Sequence, residues 1–299
     1  MLSILIPVFN HNIVTLVYSL QQQCMECGIT FEIIAIEDGS QCCIEDNSEV
    51  ASLFGVRHIV SKDNIGRSAI RNRLISEARC RYLLFVDCDS EVISPNYIKH
   101  WTQHLSDGCL INGGIDYDFA IKNAKQYSLR LKYGQREVIS AKERSDRELP
   151  LTTFNLLADR DLFTSTLFDE KIVGYGYEDL ILGYSLAQRG IGITHIDNPL
   201  RHTGLDTNSI FLQKTNNGIN NLCRLYHCGN YPNLKNHSKI LRYFTTIKKC
   251  YLTAFVGNLF MLIRPILTKN LLGSNPSLIL FDIFKLGALC RYSTERSYP

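Results

Sequence analysis

No glycine fingerprint of the form GxGxxG follows the first apolar run of this 299-residue chain, where Pro7-Val8-Phe9-Asn10-His11-Asn12 stands instead. GxxxxGK[ST] is missing as well. The first absence argues against a dinucleotide-binding oxidoreductase and the second against a P-loop NTPase. No single charge predominates either: the formal net charge is +3, too small for a general nucleic-acid binder. Residues 251–267 and 277–290 are apolar, but charges or Pro interrupt both. Each falls short of the roughly 20 clean apolar residues of a membrane span. Cysteine is plentiful, at 11, yet disordered in pattern. The number is odd, Cys24-x-x-Cys27 has no second CxxC at zinc-site spacing, and Cys42 and Cys43 are adjacent. This excludes a disulfide-stapled mini-domain and leaves a redox pair or plain reduced thiols in a reducing compartment. The first ten residues lack a basic leader and an Ala-x-Ala site, so they are expected to form a strand rather than a signal peptide. There is no internal repeat and no low-complexity tract.

What the chain does have is an apolar content of 45%, ample for a sizeable core, in a length that suits one α/β domain with an appendage. Apolar runs at 3–9, 31–36, 56–60 and 82–86 read as buried strands. Helical patterns at 13–24 and 67–78 alternate with them, the latter with Ile70, Leu74, Ile75 and Ala78 on one face. The alternation predicts a mostly parallel sheet with helices on both faces. Ligands of such sheets sit at the carboxyl ends of the strands, and there the sequence places Asn10, Asp38 and Asp87/Asp89. A charged excursion spans 121–150. A second block then runs through 153–157, Asp169-Glu170 and Gly174-Tyr175-Gly176-Tyr177-Glu178-Asp179. The last two residues open a helix over 180–189 that Gly190 stops.

Beyond residue 236 the texture changes. Lys239, Arg242, Lys248, Lys249, Arg264, Lys269, Lys285, Arg291 and Arg296 stand there against only Asp282 and Glu295. The expected organisation is a domain over 1–235 and a basic, apolar helical extension over 236–299. Two readings of the extension stand side by side: helices packed on the domain, or amphipathic helices lying on a membrane surface.

Three groups carry candidate chemistry. Asp87-Cys88-Asp89 closes an apolar strand and can offer oxygens to a hard cation such as Mg²⁺ or Mn²⁺, ions that bind one or two carboxylates plus substrate phosphates. His202 is a candidate further ligand, which would favour Mn²⁺, or else a loop histidine. Glu178-Asp179 either caps a helix and meets its dipole, or supplies a base beside a tyrosine platform for a sugar.

Taken in order, SILIPVFN, IEDGS, DNIGRSAIRN, DCDS, TTFN, FDE and GYGYEDLILGYSLAQRG resemble the family 2 glycosyltransferases with the GT-A fold, over roughly residues 2–204. The resemblance implies an inverting hexosyl- or N-acetylhexosaminyltransferase with a UDP-sugar donor and a divalent cation. The acceptor would be a hydroxyl of a glycan or lipid-linked saccharide in cell-envelope or capsular polysaccharide assembly. The site would be cytoplasmic, peripheral on the membrane through the tail. It further implies that Pro7, Phe9 and Asn10 wall the nucleotide, that Asp38 accepts from the uracil ring, and that Gly66 and Arg71 flank the nucleotide. Asp87 would face the ribose, Asp89 and His202 would bind the metal, Asp179 would be the base, and Glu178 would hold the acceptor. Two positions depart from the pattern. Glu37 stands where Asp is commoner, and Tyr175 and Tyr177 stand where many relatives carry Trp. The competing non-enzymatic reading is a binding protein that kept the nucleotide-sugar cleft and lost turnover.

Overall fold

A computed structural model describes residues 1–120, 124–148, 150–172 and 174–295. Arg296 of the basic tail, and 121–123 and 149 of the charged segment, lie outside the described residues. The strands are β1 (Leu2–Val8), β2 (Phe31–Asp38), β3 (Val56–Ser61), β4 (Tyr82–Val86), β5 (Ser90–Glu91), β6 (Leu110–Asn112), β7 (Ile115–Tyr117), β8 (Asn155–Asp159), β9 (Thr194–His195) and β10 (Leu200–His202). The helices are α1 (Val14–Glu26), α2 (Ile44–Ser48), α3 (Arg67–Glu77), α4 (Tyr97–Thr102), α5 (Ser128–Gln135), α6 (Ala141–Asp146), α7 (Glu178–Gln188), α8 (Asn208–His227), α9 (Lys239–Lys249), α10 (Thr253–Leu271) and α11 (Leu278–Glu295).

Two compact units result. One comprises Met1–Asp118, Glu137–Lys171 and Glu178–Gly204; the other takes Phe119–Arg136, Ile172–Tyr177 and the chain from Leu205 onward. The first unit is an α/β layered fold around a seven-stranded sheet of order β3-β2-β1-β4-β8-β6-β9. β1 pairs in parallel with both β2 and β4, and β2 with β3. Both faces of β1 are buried, which is why its sequence is a continuous apolar run. Ile4 and Ile6 pack with Val17 and Leu20 of α1 on one side. Leu5 packs with Ile34, Ile70 and Leu74 on the other, so the expected apolar face of α3 lies on the sheet.

The expectation of a mostly parallel sheet holds, with one feature beyond it. β8 enters between β4 and β6 antiparallel to both. The second difference concerns β2. The sequence reading ends this strand at Ile36 and begins a polar turn at Glu37, whereas the strand runs on through Asp38, with Glu37 opposite Val8 and Val60. A buried carboxylate is tolerated there because it is fully partnered. Ser40 donates to Glu37, as does Asn47 Nδ2 at 2.8 Å, and His58 Nε2 lies at 3.1 Å. Burial alone would raise the Glu37 pKa, but His58, Ser40 and Asn47 outweigh it and hold it low. Gly190 ends α7 as expected, with φ +76° and its N–H on the Ala187 carbonyl.

A second, three-stranded sheet of order β5-β10-β7 completes this unit, with His202 opposite both Ser90 and Tyr117. In the second unit α8 packs against α11, and α11 against α10. The α10–α11 approach is close because glycines stand at the crossing: a Cβ at Gly257 would lie 3.1 Å from the Arg291 backbone, and one at Gly287 would collide with the Phe260 side chain. Among the described residues no single helix is long and apolar enough to cross a membrane. The pair α9 and α10 reaches that length and composition together but is bent by 117°.

Asn155 joins the two ladders of the first unit. Its Oδ1 accepts from the buried Tyr97 hydroxyl at 2.7 Å, and its Nδ2 donates to the carbonyls of Gly114 and Asn198 at 3.0 and 2.8 Å. Asn155→Ala strands one buried donor and two acceptors, so a loss of about 2–4 kcal/mol is expected. Urea unfolding of the variant checks it; a loss under about 0.5 kcal/mol would refute the network's structural role.

Candidate active site

The carboxyl ends of β1, β2 and β4 lie side by side because the strands are parallel neighbours, and the polar residues after them converge. Pro7 lies within β1 opposite Ile36, and Phe9 just beyond it is exposed. Asn10 takes a left-handed backbone, φ +51°. Its N–H donates to Ser40 Oγ at 2.9 Å and its Oδ1 accepts from the Gln41 N–H at 2.7 Å, tying the end of β1 to that of β2. Asp38 is buried, and its carboxylate accepts from the N–H groups of Ile65 and Gly66 at 2.7 and 3.1 Å. Gly66 caps α3 with φ +90°, a conformation that glycine adopts without strain. Gly39 is required for a different reason: a Cβ there would lie 2.5 Å from the Asn64 nitrogen.

Arg71 is the centre of the charge network. It sits one turn after Arg67 on α3, fully buried, with Nη2 on Asp87 Oδ1 at 2.8 Å and Nη1 at 3.6 Å from Glu178 Oε1. Arg67 Nε lies 3.4 Å from the same Glu178 oxygen. Burial works against the Arg71 charge, but Asp87, Asp179 and Glu178 more than offset it and raise its pKa. The Asp87 carboxyl is half-buried, and Arg71 and Arg67 hold it well below the usual carboxylate range. Asp179 goes the other way. Burial first, then the neighbouring Glu178 and Asp87 charges, push it up to about 6 against the pull of Arg71 and Thr153. Its two oxygens accept from the Thr153 N–H at 3.0 Å and hydroxyl at 2.8 Å, a partner outside α7. Glu178, expected to hold an acceptor, is buried and engaged by the two arginines, because two guanidiniums on α3 require a carboxylate facing them.

Asp89 and His202 meet although 113 positions separate them. Pairing of β10 with β5 brings His202 Nε2 to 3.4 Å from Asp89 Oδ2. The imidazole is stacked between Tyr117 and Phe154, with centroids at 5.4 and 5.5 Å. The Thr203 N–H and hydroxyl both donate to the Asp89 carbonyl at 2.8 Å, and any side chain at Gly204 would collide with the Asp89 carboxylate. Among the described residues no group of three or more His, Cys, Asp or Glu is arranged around a metal position. Two protein donors, one carboxylate and one imidazole, therefore fit a hard divalent ion whose shell is completed by phosphate oxygens and water, not an all-protein cage. Burial and the flanking Asp89 and Asp87 charges push the Cys88 thiol up to about 12.

Arg67, Thr153, Tyr117 and Phe154 were not singled out from the sequence. The i, i+4 pair of arginines on α3 is a legible signal for the first. Tyr117 has none, since only the β7–β10 pairing brings it to His202. Three of the four residues of the GYGY segment, Gly174, Gly176 and Tyr177, are left-handed, at φ +88°, +93° and +76°. Within the second unit, the Lys214 ammonium lies 5.6 Å over the exposed Tyr175 ring and Asn221 Nδ2 donates to the Tyr175 carbonyl at 3.2 Å.

Comparison with known proteins bears on the family and the fold. Residues 3–163, a little over half of the chain, match the family described as Glycosyl transferase family 2. An Escherichia coli (strain K12) protein named as an uncharacterized glycosyltransferase, YibD, is 35% identical over 116 residues, 36% of this chain and 31% of YibD. The chain thus spans about a third of that relative's length. Mannosyltransferase PcManGT from Pyrobaculum calidifontis, solved with GDP-Man and Mn²⁺, superposes with a TM-score of 0.54 at 9% identity, over 98% of this chain and 86% of that one. Glucosyl-3-phosphoglycerate synthase from Mycobacterium tuberculosis, solved with Mn²⁺, UDP and phosphoglyceric acid, gives 0.50 at 18% identity, over 75% and 78%. At such identities the structural likeness shows the fold, which is GT-A. The family match carries the rest: the chain belongs to glycosyl transferase family 2.

Proposed function

We propose that the chain transfers a sugar from a UDP-sugar to a hydroxyl of a glycan or lipid-linked saccharide, with inversion, in cell-envelope or capsular polysaccharide synthesis. The single observation that carries the reading is the contrast among the carboxylates of one site. Asp87 is held ionised by Arg71, while Asp179 is raised to about 6, where a general base for an alcohol works best. The choice of UDP rests on the family resemblance. GDP-Man in PcManGT marks the competing donor class, and calorimetric titration with UDP and GDP decides between them.

In this reading Pro7, Phe9 and Asn10 wall the base, and Asp38, whose carboxylate also holds the Ile65–Gly66 turn, accepts from the uracil ring. Asp87, oriented by Arg71, faces the ribose. Asp89 and His202 would hold a divalent cation, Mn²⁺ or Mg²⁺, which would supply positive charge against the diphosphate leaving group. Asp179, kept in place by Thr153, accepts the acceptor proton. The freed oxygen bonds to the anomeric carbon as its bond to the diphosphate oxygen breaks, and UDP carries away the electron pair. One in-line displacement needs no protein nucleophile. Glu178 is a positioning residue that holds Arg67 and Arg71. The helices beyond residue 236 are read as an extension that meets the cytoplasmic face of a membrane, where a lipid-linked acceptor would lie.

Asp89→Ala is expected to abolish turnover and to weaken Mn²⁺ binding in the presence of UDP, the latter read by electron paramagnetic resonance of free Mn²⁺. Undiminished Mn²⁺ binding would remove Asp89 from the metal site. His202→Ala should cause a smaller loss and a changed preference between Mn²⁺ and Mg²⁺.

Asp179→Asn should lower turnover by about 10²–10⁴ with UDP affinity nearly unchanged. Wild-type turnover should rise as pH increases through about 6, since only the ionised carboxyl accepts a proton. Stability runs the opposite way. The folded carboxyl keeps its proton to higher pH than the unfolded one, so wild type loses stability as pH rises from about 4 to about 6. The Asn variant escapes that loss, so above about pH 7 it should gain on the order of 2 kcal/mol relative to wild type, measured by denaturant unfolding. A helix cap alone predicts wild-type turnover.

A further inference from the structure

We propose that the second unit presents a docking surface for an anionic phospholipid bilayer, built from a lysine- and tyrosine-lined pocket for phosphate headgroups and an apolar stripe of α10 that enters the acyl boundary. The proposal rests on the membrane reading of the C-terminal helices and is independent of the donor and base assignments.

Helix α10 is apolar on two opposite sides. Gly257, Phe260, Leu267 and Leu271 are buried, and α11 packs against this helix. The other side carries Phe255, Leu259, Leu262 and Ile266, spaced i, i+4, i+7 and i+11, so that all four share one face. They are 65%, 42%, 78% and 70% exposed. Tyr251 and Leu252 at the start of α10, and Ile279 and Ile283 one turn apart on α11, are exposed as well. A row of large side chains open to water along one helix marks an interaction surface, where a solvated helix would carry charge.

Charge indicates what covers it. Immediately before α10, an open cavity of about 370 Å³ is lined by Tyr226, Lys235, Thr245, Lys248, Lys249 and Tyr251. None of the three lysines has an acidic partner among the described residues. Lys248 instead rests over the Tyr226 ring at 5.0 Å, and that ring is fixed edge-on against Phe244. The two acids of the C-terminal helices are already engaged, Asp282 by Arg136 and Lys285 and Glu295 by Arg291. The cationic pocket and the apolar stripe meet at Tyr251, which lines the one and opens the other. Lysines at headgroup depth, a tyrosine at the boundary and an aromatic-aliphatic row below is the arrangement of a helix lying in the plane of an anionic bilayer.

The test is sedimentation of the full chain with vesicles of phosphatidylcholine alone or mixed with phosphatidylglycerol, at low and high salt. Binding to the mixed vesicles, weakened by salt, is expected. Lys248→Gln with Lys249→Gln should lower partition onto anionic vesicles more than tenfold, about fivefold for each lysine, with little change on neutral ones. Leu262→Ser with Ile266→Ser should lower partition onto both kinds by tenfold or more. All four side chains are exposed, so thermal unfolding and UDP binding should stay at wild-type values. If wild type binds vesicles and neither double variant changes this, the surface is wrongly located although the membrane reading stands. If wild type ignores anionic vesicles at low salt, both fall. A dimer in solution that Leu262→Ser dissociates, without vesicle binding, would assign the stripe to a second copy and overturn the proposal. Turnover on a water-soluble acceptor decides the transferase reading separately.

Discussion

A guanidinium buried on α3 cannot shed its proton, so the elements around Arg71 have to bring it negative charge. They do so from two directions: Asp87 at the end of β4 and Glu178 at the start of α7, with Asp179 adding its field. The seating of α3, the exit from β4 and the entry to α7 are therefore coupled through one side chain. Its consequences are chemical as well as structural. Arg71 keeps the half-buried Asp87 ionised, while Asp179, next to a carboxylate already paired, is left with the raised pKa. Two carboxyls in one site thus acquire different protonation behaviour from their positions relative to a single cation.

The other half of the site depends on short strands. β5, β7 and β10 are two or three residues each, yet their pairing stacks His202 between aromatic rings and faces it to Asp89. β8 works similarly. As an antiparallel strand between β4 and β6 it positions Thr153, just before it, under Asp179, and Asn155, its first residue, between Tyr97 and two carbonyls. Asn155 joins the two ladders through the Gly114 and Asn198 carbonyls.

How far all this was legible in the sequence varies by element. The parallel strands, α3 with its apolar face, the stop at Gly190 and the polar residues at the strand ends are local patterns. Burial on both faces makes a strand continuously apolar, and a one-sided helix repeats every three to four residues. The order of motifs likewise pointed to the family. The extent of β2 was not legible, because Glu37 is polar and its burial depends on Asn47 and His58 arriving from elsewhere.

Thus the sequence by itself determined which residues are apolar, where α1, α3 and α7 lie, and which carboxylates stand at the mouth of the sheet. Only the tertiary structure decided which carboxylate is paired and which is raised, that Glu178 faces arginines, that His202 meets Asp89, and which side of α10 stays exposed. The physical reason is range. Secondary structure follows from neighbours three or four residues away, whereas a protonation state or a ligand pair is set by groups brought together across the chain, at distances that no spacing in the sequence encodes.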